Sequence, residues 1–236
     1  MKNWLDIWEK KANTLPSIED CTTVTIIDEL IKADGFGDDG ASGKTTVSAW
    51  MQYVDYIKKR MGIQALDAVY EVGTGSGALI YPMHKSMCTV GGLDFSSTHI
   101  NNVSSLIENG HFEVCAACDM KATPRYDHVL SNSVFQYFPS AEYAEIVLNL
   151  MWRKSAKGIA ILDVPDELFK DLIESKRKEA CPEYDSKFEG LQHQYYSKEW
   201  FLQFAQNVRA KSITFDMQHI EGYGYNGTRM NVFIRR

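Results

Sequence analysis

Apolar residues along the chain follow two habits: short unbroken runs, and segments in which they recur three and four positions apart. The runs at 69–72, 89–94, 112–119, 126–133 and 158–164 read as strands. The spaced segments between and around them read as helices. At 45–61, Val47, Trp50, Met51, Val54 and Ile57 form one apolar stripe, and Gly62 ends it. Residues 79–84, 98–107 and 141–152 continue the alternation, the last with Ile146, Val147, Leu150 and Met151 on one face. Gly158-Ile-Ala-Ile-Leu-Asp-Val has the composition of a parallel strand covered on both sides. Strands alternating with helices predict a doubly wound, mostly parallel α/β sheet. Two further strands, 211–220 and 229–234, are joined by Glu221-Gly-Tyr-Gly-Tyr-Asn-Gly, close the chain as an antiparallel hairpin and bring the count to seven.

The first strand breaks into alternating glycines, Glu71-Val-Gly73-Thr-Gly75-Ser-Gly77-Ala78, and the chain then resumes as a helix. A turn without Cβ atoms lets a ligand lie on the main chain, and the free N–H groups of the helix point at it. The loose pattern G-x-G-x-x-G/A alone fits a nicotinamide, a flavin or another nucleoside. Two acids at strand ends narrow the choice. Asp94 stands where doubly wound folds place a carboxylate on ribose hydroxyls. Asp119 ends the third strand, where a carboxylate can accept an adenine amino group, with Met120 on the ring face. Each acid also has a structural reading: Glu71 or Asp94 as a helix cap, Asp119 as a turn former before Pro124.

With this triple in place the chain resembles the class I S-adenosylmethionine-dependent methyltransferases, whose first motif is an acid followed by alternating glycines. The resemblance runs from about residue 53 to the C-terminus. It implies a Rossmann-like sheet and S-adenosyl-L-methionine as cofactor, held by Glu71, Gly73, Thr74, Gly75, Gly77, Asp94, Phe95, Asp119, Met120 and Ser133. A nicotinamide-dependent oxidoreductase, which needs neither Glu71 nor Asp119, is the second enzyme reading; a cofactor-binding scaffold without turnover is the non-enzyme one. The fourth strand ends Ser131-Asn132-Ser133 instead of the [DN]-P-P-[YF] of amino-methylating nucleic-acid enzymes, so base methylation is disfavoured. The early Trp4-x-x-x-Trp8, Asp34-Gly-Phe and late Tyr195-Tyr-Ser-Lys-Glu-Trp-Phe also look like methyltransferases that accompany bacterial surface-polysaccharide synthesis.

Composition adds limits. At 236 residues and 44% hydrophobic, the chain suits one domain with a full core. A net charge of −6 without a basic run excludes a phosphate backbone as main partner and favours a small-molecule substrate. The charged first residues and the lack of a long apolar run predict a cytoplasmic protein without a membrane segment. Five scattered cysteines suit a reducing compartment, and Cys115 and Cys118 read as half-buried strand residues, not a zinc or redox pair.

Residues 1–46 read as a helical lid, with Leu5, Trp8 and Ala12 at helical spacing and a second helix over 23–33. Gly43-Lys44-Thr45 resembles a P-loop ending, but Asp38 stands where its first glycine belongs. Residues 165–196 interrupt the rhythm and are predicted to roof a substrate pocket beside the strand ends. A hydroxyl acceptor needs a proton taken away, and His193, in that roof, is the first candidate for a general base. Tyr195, Tyr196, His99 and Asp163 follow it. Tyr195, Tyr223, Tyr225 and Arg229 are candidates for holding an anionic or sugar-like acceptor, Arg229 through its two-pronged fork.

Overall fold

The computed structural model describes residues 4–11, 21–37 and 42–236. Ala12 and Asp38, named above, lie outside them. Seven strands, β1 (Ala68–Val72), β2 (Thr89–Asp94), β3 (His111–Val114), β4 (Tyr126–Asn132), β5 (Ser155–Pro165), β6 (Ser212–Met217) and β7 (Arg229–Arg235), form one sheet in the order β3-β2-β1-β4-β5-β7-β6. The first five run parallel. β7 lies antiparallel between β5 and β6, so the final pair joins the sheet through its second member. The order reverses between β1 and β4, and folds of this kind open a crevice at the carboxyl ends of such strands.

Helices cover both faces because β1, β4 and β5 are apolar on both. On one face lie α2 (Thr23–Ala33), α3 (Val47–Met61), α4 (Ile80–Lys85) and α5 (Ser97–Leu106), with Trp50, Val54 and Ile57 of α3 fully buried. α3 starts at the Thr46 cap, which accepts from Ala49 N, and stops at Gly62, whose φ of 68° suits a residue without Cβ. On the other face lie α6 (Ala141–Lys154) and α9 (Lys198–Asn207), where Phe201 and Phe204 point inward as their spacing predicts. The roof carries α7 (Lys170–Ala180) and the single turn α8 (Tyr184–Lys187), while α1 (Trp4–Lys11) crosses the open end of the crevice.

The third strand is shorter than its apolar run. It ends at Val114, and Ala117–Asp119 forms a 3-10 turn, so Cys115 and Cys118 follow the strand instead of lying within it; both are half-buried and free. The strand predicted at 158–164 extends to Ser155–Pro165, because β4 pairs with it from Ser155 and β7 as far as Pro165. Among the described residues no helix is long and apolar enough to cross a membrane.

Candidate functional site

At the strand ends lies a cavity of about 980 Å³, floored by the glycine turn, closed by α1 and roofed by α7, α8 and the segment to His193. Of the residues singled out from the sequence, its wall includes Glu71, Gly73, Thr74, Gly75, Asp94, Phe95, Ser133, His193, Tyr223, Tyr225 and Arg229. Six stand elsewhere: Asp163 lies beneath the wall, Tyr196 is buried with its hydroxyl donating to Phe135 O, and four more follow. Gly77 sits one turn deeper, facing Val103. Asp119 is exposed beyond the wall that Cys115, Ala116 and Ala117 form, since the early end of β3 turns it outward. Met120 is buried in the core behind α6. Tyr195 does not line the cavity; its hydroxyl accepts from Arg177 Nη1 at 2.9 Å, so it braces a residue that does.

The floor is held tightly. Gly73 and Thr74 both donate to Leu93 O, at 2.8 and 2.9 Å, which pins the turn against β2. Gly73 takes φ 74°, and a Cβ on it would stand 2.3 Å from Val134 Cγ2. Asp94 closes the same corner, accepting from Gly75 N at 3.0 Å and Ser96 N at 2.9 Å. It is therefore a local cap as well as a cavity acid. His99, buried beside it, is held above its ordinary value: burial opposes the charge, but the Asp94 hydrogen bond and the charges of Asp34, Asp94 and Glu9 prevail.

Asp34 is a site residue that local sequence reading missed. It ends α2, yet its carboxylate accepts from Ser76 N at 2.6 Å and Ala78 N at 3.0 Å, across the mouth of the glycine turn. With Glu71 and Asp94 it makes three carboxylates around one turn. Glu71 is 2% exposed, and its Oε2 has no hydrogen-bond partner among the described residues. Burial, then the charges of Asp34 and Asp94, push its carboxyl well above the usual range. Such a site calls for a cation and for hydroxyl or amine donors.

The opposite wall is aromatic and basic. Trp4 packs on Tyr137, Phe188 and His193, with centroids 4.9, 5.8 and 4.5 Å away, and its Nε1 donates to Gln192 O. Trp8 meets Tyr137 and His99, while Glu9 accepts from Ser97 N and Thr98 Oγ1, so α1 is tied to both roof and floor. Beneath lies a polar network. Arg229 Nη1 donates to Asp163 Oδ2 at 2.5 Å, and Tyr223 donates to the same oxygen at 2.8 Å. Gln218 joins Asp163 to Tyr53, whose hydroxyl donates to Asn132 at the end of β4. Asn226, in the connection between β6 and β7, bonds both backbone groups of Ile220 and so holds the turn.

The strand order, its antiparallel last pair and the glycine turn at the switch point define the Rossmann-like methyltransferase fold. Residues 69–154 match the family described as a methyltransferase domain. Among solved structures, magnesium protoporphyrin IX methyltransferase from Synechocystis PCC 6803 with bound SAH has a TM-score of 0.61 at 16% identity, covering 90% of this chain and 99% of that one. The N-methyltransferase NodS from Bradyrhizobium japonicum WM9, in complex with S-adenosyl-L-homocysteine, gives 0.59 at 10% identity over 100% and 99%. Curated relatives are segments of far larger proteins. A bassianolide nonribosomal cyclodepsipeptide synthetase of Beauveria bassiana is 32% identical over 131 residues, 51% of this chain and 4% of the synthetase. The PF 1022-synthetase of Rosellinia sp. is 26% identical over 174 residues, 70% of this chain and 5% of that protein.

Proposed function

We propose that this chain transfers a methyl group from S-adenosylmethionine to a hydroxyl of a small-molecule acceptor. The observation that carries the reading is the buried Glu71 Oε2, without a hydrogen-bond partner among the described residues, beside Asp34 and Asp94 on a glycine turn. An amino-acid ammonium answers Glu71 and Asp34, and ribose hydroxyls answer Asp94. Phe95 and the wall from Cys115 to Ala117 are the surfaces a purine would meet, and Asp119 lies outside that wall. A dinucleotide suits the turn less well. Its pyrophosphate needs the N–H groups that Asp34 occupies and would face three carboxylates. That disfavours the oxidoreductase alternative.

The cofactor supplies a methyl already activated on a sulfonium, so the protein's work is alignment and exclusion of water. Residues 1–46 serve as the lid, with Trp4 and Trp8 facing the cavity, and residues 165–196 as the roof. Tyr223, Tyr225 and Arg229 line the cavity as the acceptor side, Ser133 belongs with the cofactor residues, and His193, in the roof, would be the group to take the acceptor's proton. The acceptor is a sugar or a phosphate-type small molecule of polysaccharide or secondary-metabolite biosynthesis, and the nonribosomal-synthetase relatives support the second setting.

The test is a turnover assay with S-adenosylmethionine against sugars, nucleotide sugars, sugar phosphates and hydroxy acids. Acceptor-dependent formation of S-adenosylhomocysteine supports the reading. Absence of product with intact cofactor binding supports the scaffold alternative, and a change in reduced-nicotinamide fluorescence on mixing supports the oxidoreductase. Asp94→Ala should weaken S-adenosylhomocysteine binding at least tenfold, since it removes a carboxylate that both shapes the turn and faces the ribose position.

Glu71 adds a pH signature. Its carboxyl is raised in the free protein, and a bound ammonium favours the carboxylate, so binding expels a proton and tightens as pH rises. Calorimetry of S-adenosylhomocysteine binding near pH 7, in two buffers of different ionisation heat, should show proton release for the wild type. Glu71→Gln should bind more weakly and release less.

A further inference from the structure

α7 reads as a charged surface helix, yet one of its cations points inward. Arg177 is 6% exposed, lies four residues after the fully buried Ile173, and lines the cavity. Nη1 donates to Tyr195 and Nη2 to Gln136 Oε1 at 3.3 Å. Both partners are neutral, and among the described residues Arg177 makes no ion pair. Arg229 differs, because Asp163 neutralises it. The two guanidinium carbons flank one ring, 5.9 and 4.2 Å from the Tyr225 centroid. Of the two arginines in the acceptor wall, Arg229 is thus paired and Arg177 is the guanidinium without a carboxylate partner among the described residues, set among Tyr137, Tyr184 and Tyr225, with Lys187 also on the wall. A buried guanidinium without a counter-ion is costly, and its remaining N–H donors match a planar oxyanion.

We propose that Arg177 is an oxyanion receptor in the roof of the cavity, which takes a carboxylate carried by the methyl acceptor. The acceptor's part in this rests on the methyl-transfer reading; the anion site does not. One guanidinium without a carboxylate partner, with a planar edge of N–H donors, favours a planar monoanion over a phosphate monoester, which carries close to two charges at neutral pH. A sugar acid or hydroxy acid satisfies both the hydroxyl and the carboxylate. The arrangement also bears on His193, whose Nδ1 lies 2.9 Å from the Tyr184 hydroxyl. Burial, then the charges of Arg177 and Arg229, push it down to about 2, too weak to take a proton in the free protein. A carboxylate on Arg177 would offset the charge part of that shift and leave the burial, its largest cause, in place.

The test titrates the full chain by calorimetry with benzoate, benzamide and phenyl phosphate, with and without S-adenosylhomocysteine. Benzoate should bind one site, benzamide at least tenfold more weakly, and phenyl phosphate no more tightly than benzoate. Arg177→Gln should weaken benzoate at least tenfold, leave S-adenosylhomocysteine affinity within twofold, and melt no lower than the wild type, because it removes an uncompensated charge. Should that variant fail to fold, Arg177→Lys must keep weakened benzoate binding and the wild-type melting temperature. Absent benzoate binding, equal binding of benzamide, tighter binding of phenyl phosphate, or indifference to Arg177→Gln overturns the proposal. Failure of S-adenosylhomocysteine to bind while benzoate binds sinks the methyl-transfer reading and leaves the anion site standing.

Discussion

Gly75→Val is expected to cost about 3 kcal/mol of S-adenosylhomocysteine binding, roughly a hundredfold in affinity, while the domain stays folded. Gly75 holds φ 53°, where a β-branched residue is strained by about 1–3 kcal/mol. A Cβ there would also stand 2.5 to 2.8 Å from the Asp34 carboxylate. Asp34 is short and already bound to two amides, so it cannot swing clear without surrendering them. What gives way is the end of α2, at the lid, and not β1 or β2. Binding should therefore collapse with only a small fall in melting temperature, and Gly75→Ala should fall between. Calorimetry and a thermal melt on the same preparations separate the two effects. Wild-type affinity in Gly75→Val would mean that no ligand lies on the turn.

Much of this frame was written in local pattern. The glycine turn, the apolar runs of β1, β2, β4 and β5 and the stripe of α3 each follow from periodicity and from residues with one conformational use. What local pattern could not carry was convergence. Asp34 reads as the end of α2, and nothing within ten residues says that its carboxylate reaches amides 42 and 44 positions away. The largely apolar run 112–119 puts Asp119 at a strand end, but pairing with β2 ends at Asp94 opposite Val114, and unpaired chain turns away. Met120 went to the core with it. Arg177 was hidden among charged neighbours, although its i+4 spacing from Ile173 was the available signal. Tyr195, a candidate acceptor residue by its place in the roof, stands off the cavity wall with its hydroxyl on Arg177.

The second large effect concerns stability. Asp163→Ala is expected to destabilise the protein by about 3–5 kcal/mol, because it strands a buried guanidinium. For a chain of this size that is a melting temperature lower by roughly 6–20 °C. Asp163 is 0% exposed in its side chain and Arg229 4%, and Tyr223, Gln218 and Arg229 all donate to its two oxygens. Its backbone holds φ 55° at the bend of β5 and is tied to Asn231 Oδ1, so the carboxylate is aimed by the strand itself. Asp163→Asn keeps an acceptor and the volume while losing the charge, and should recover part of the loss. Asp163→Ala combined with Arg229→Met should recover more, since it leaves no charge unpaired. A double variant as unstable as Asp163→Ala alone would show that the network's hydrogen bonds, and not its charge pair, hold β5 and β7 together beneath the cavity.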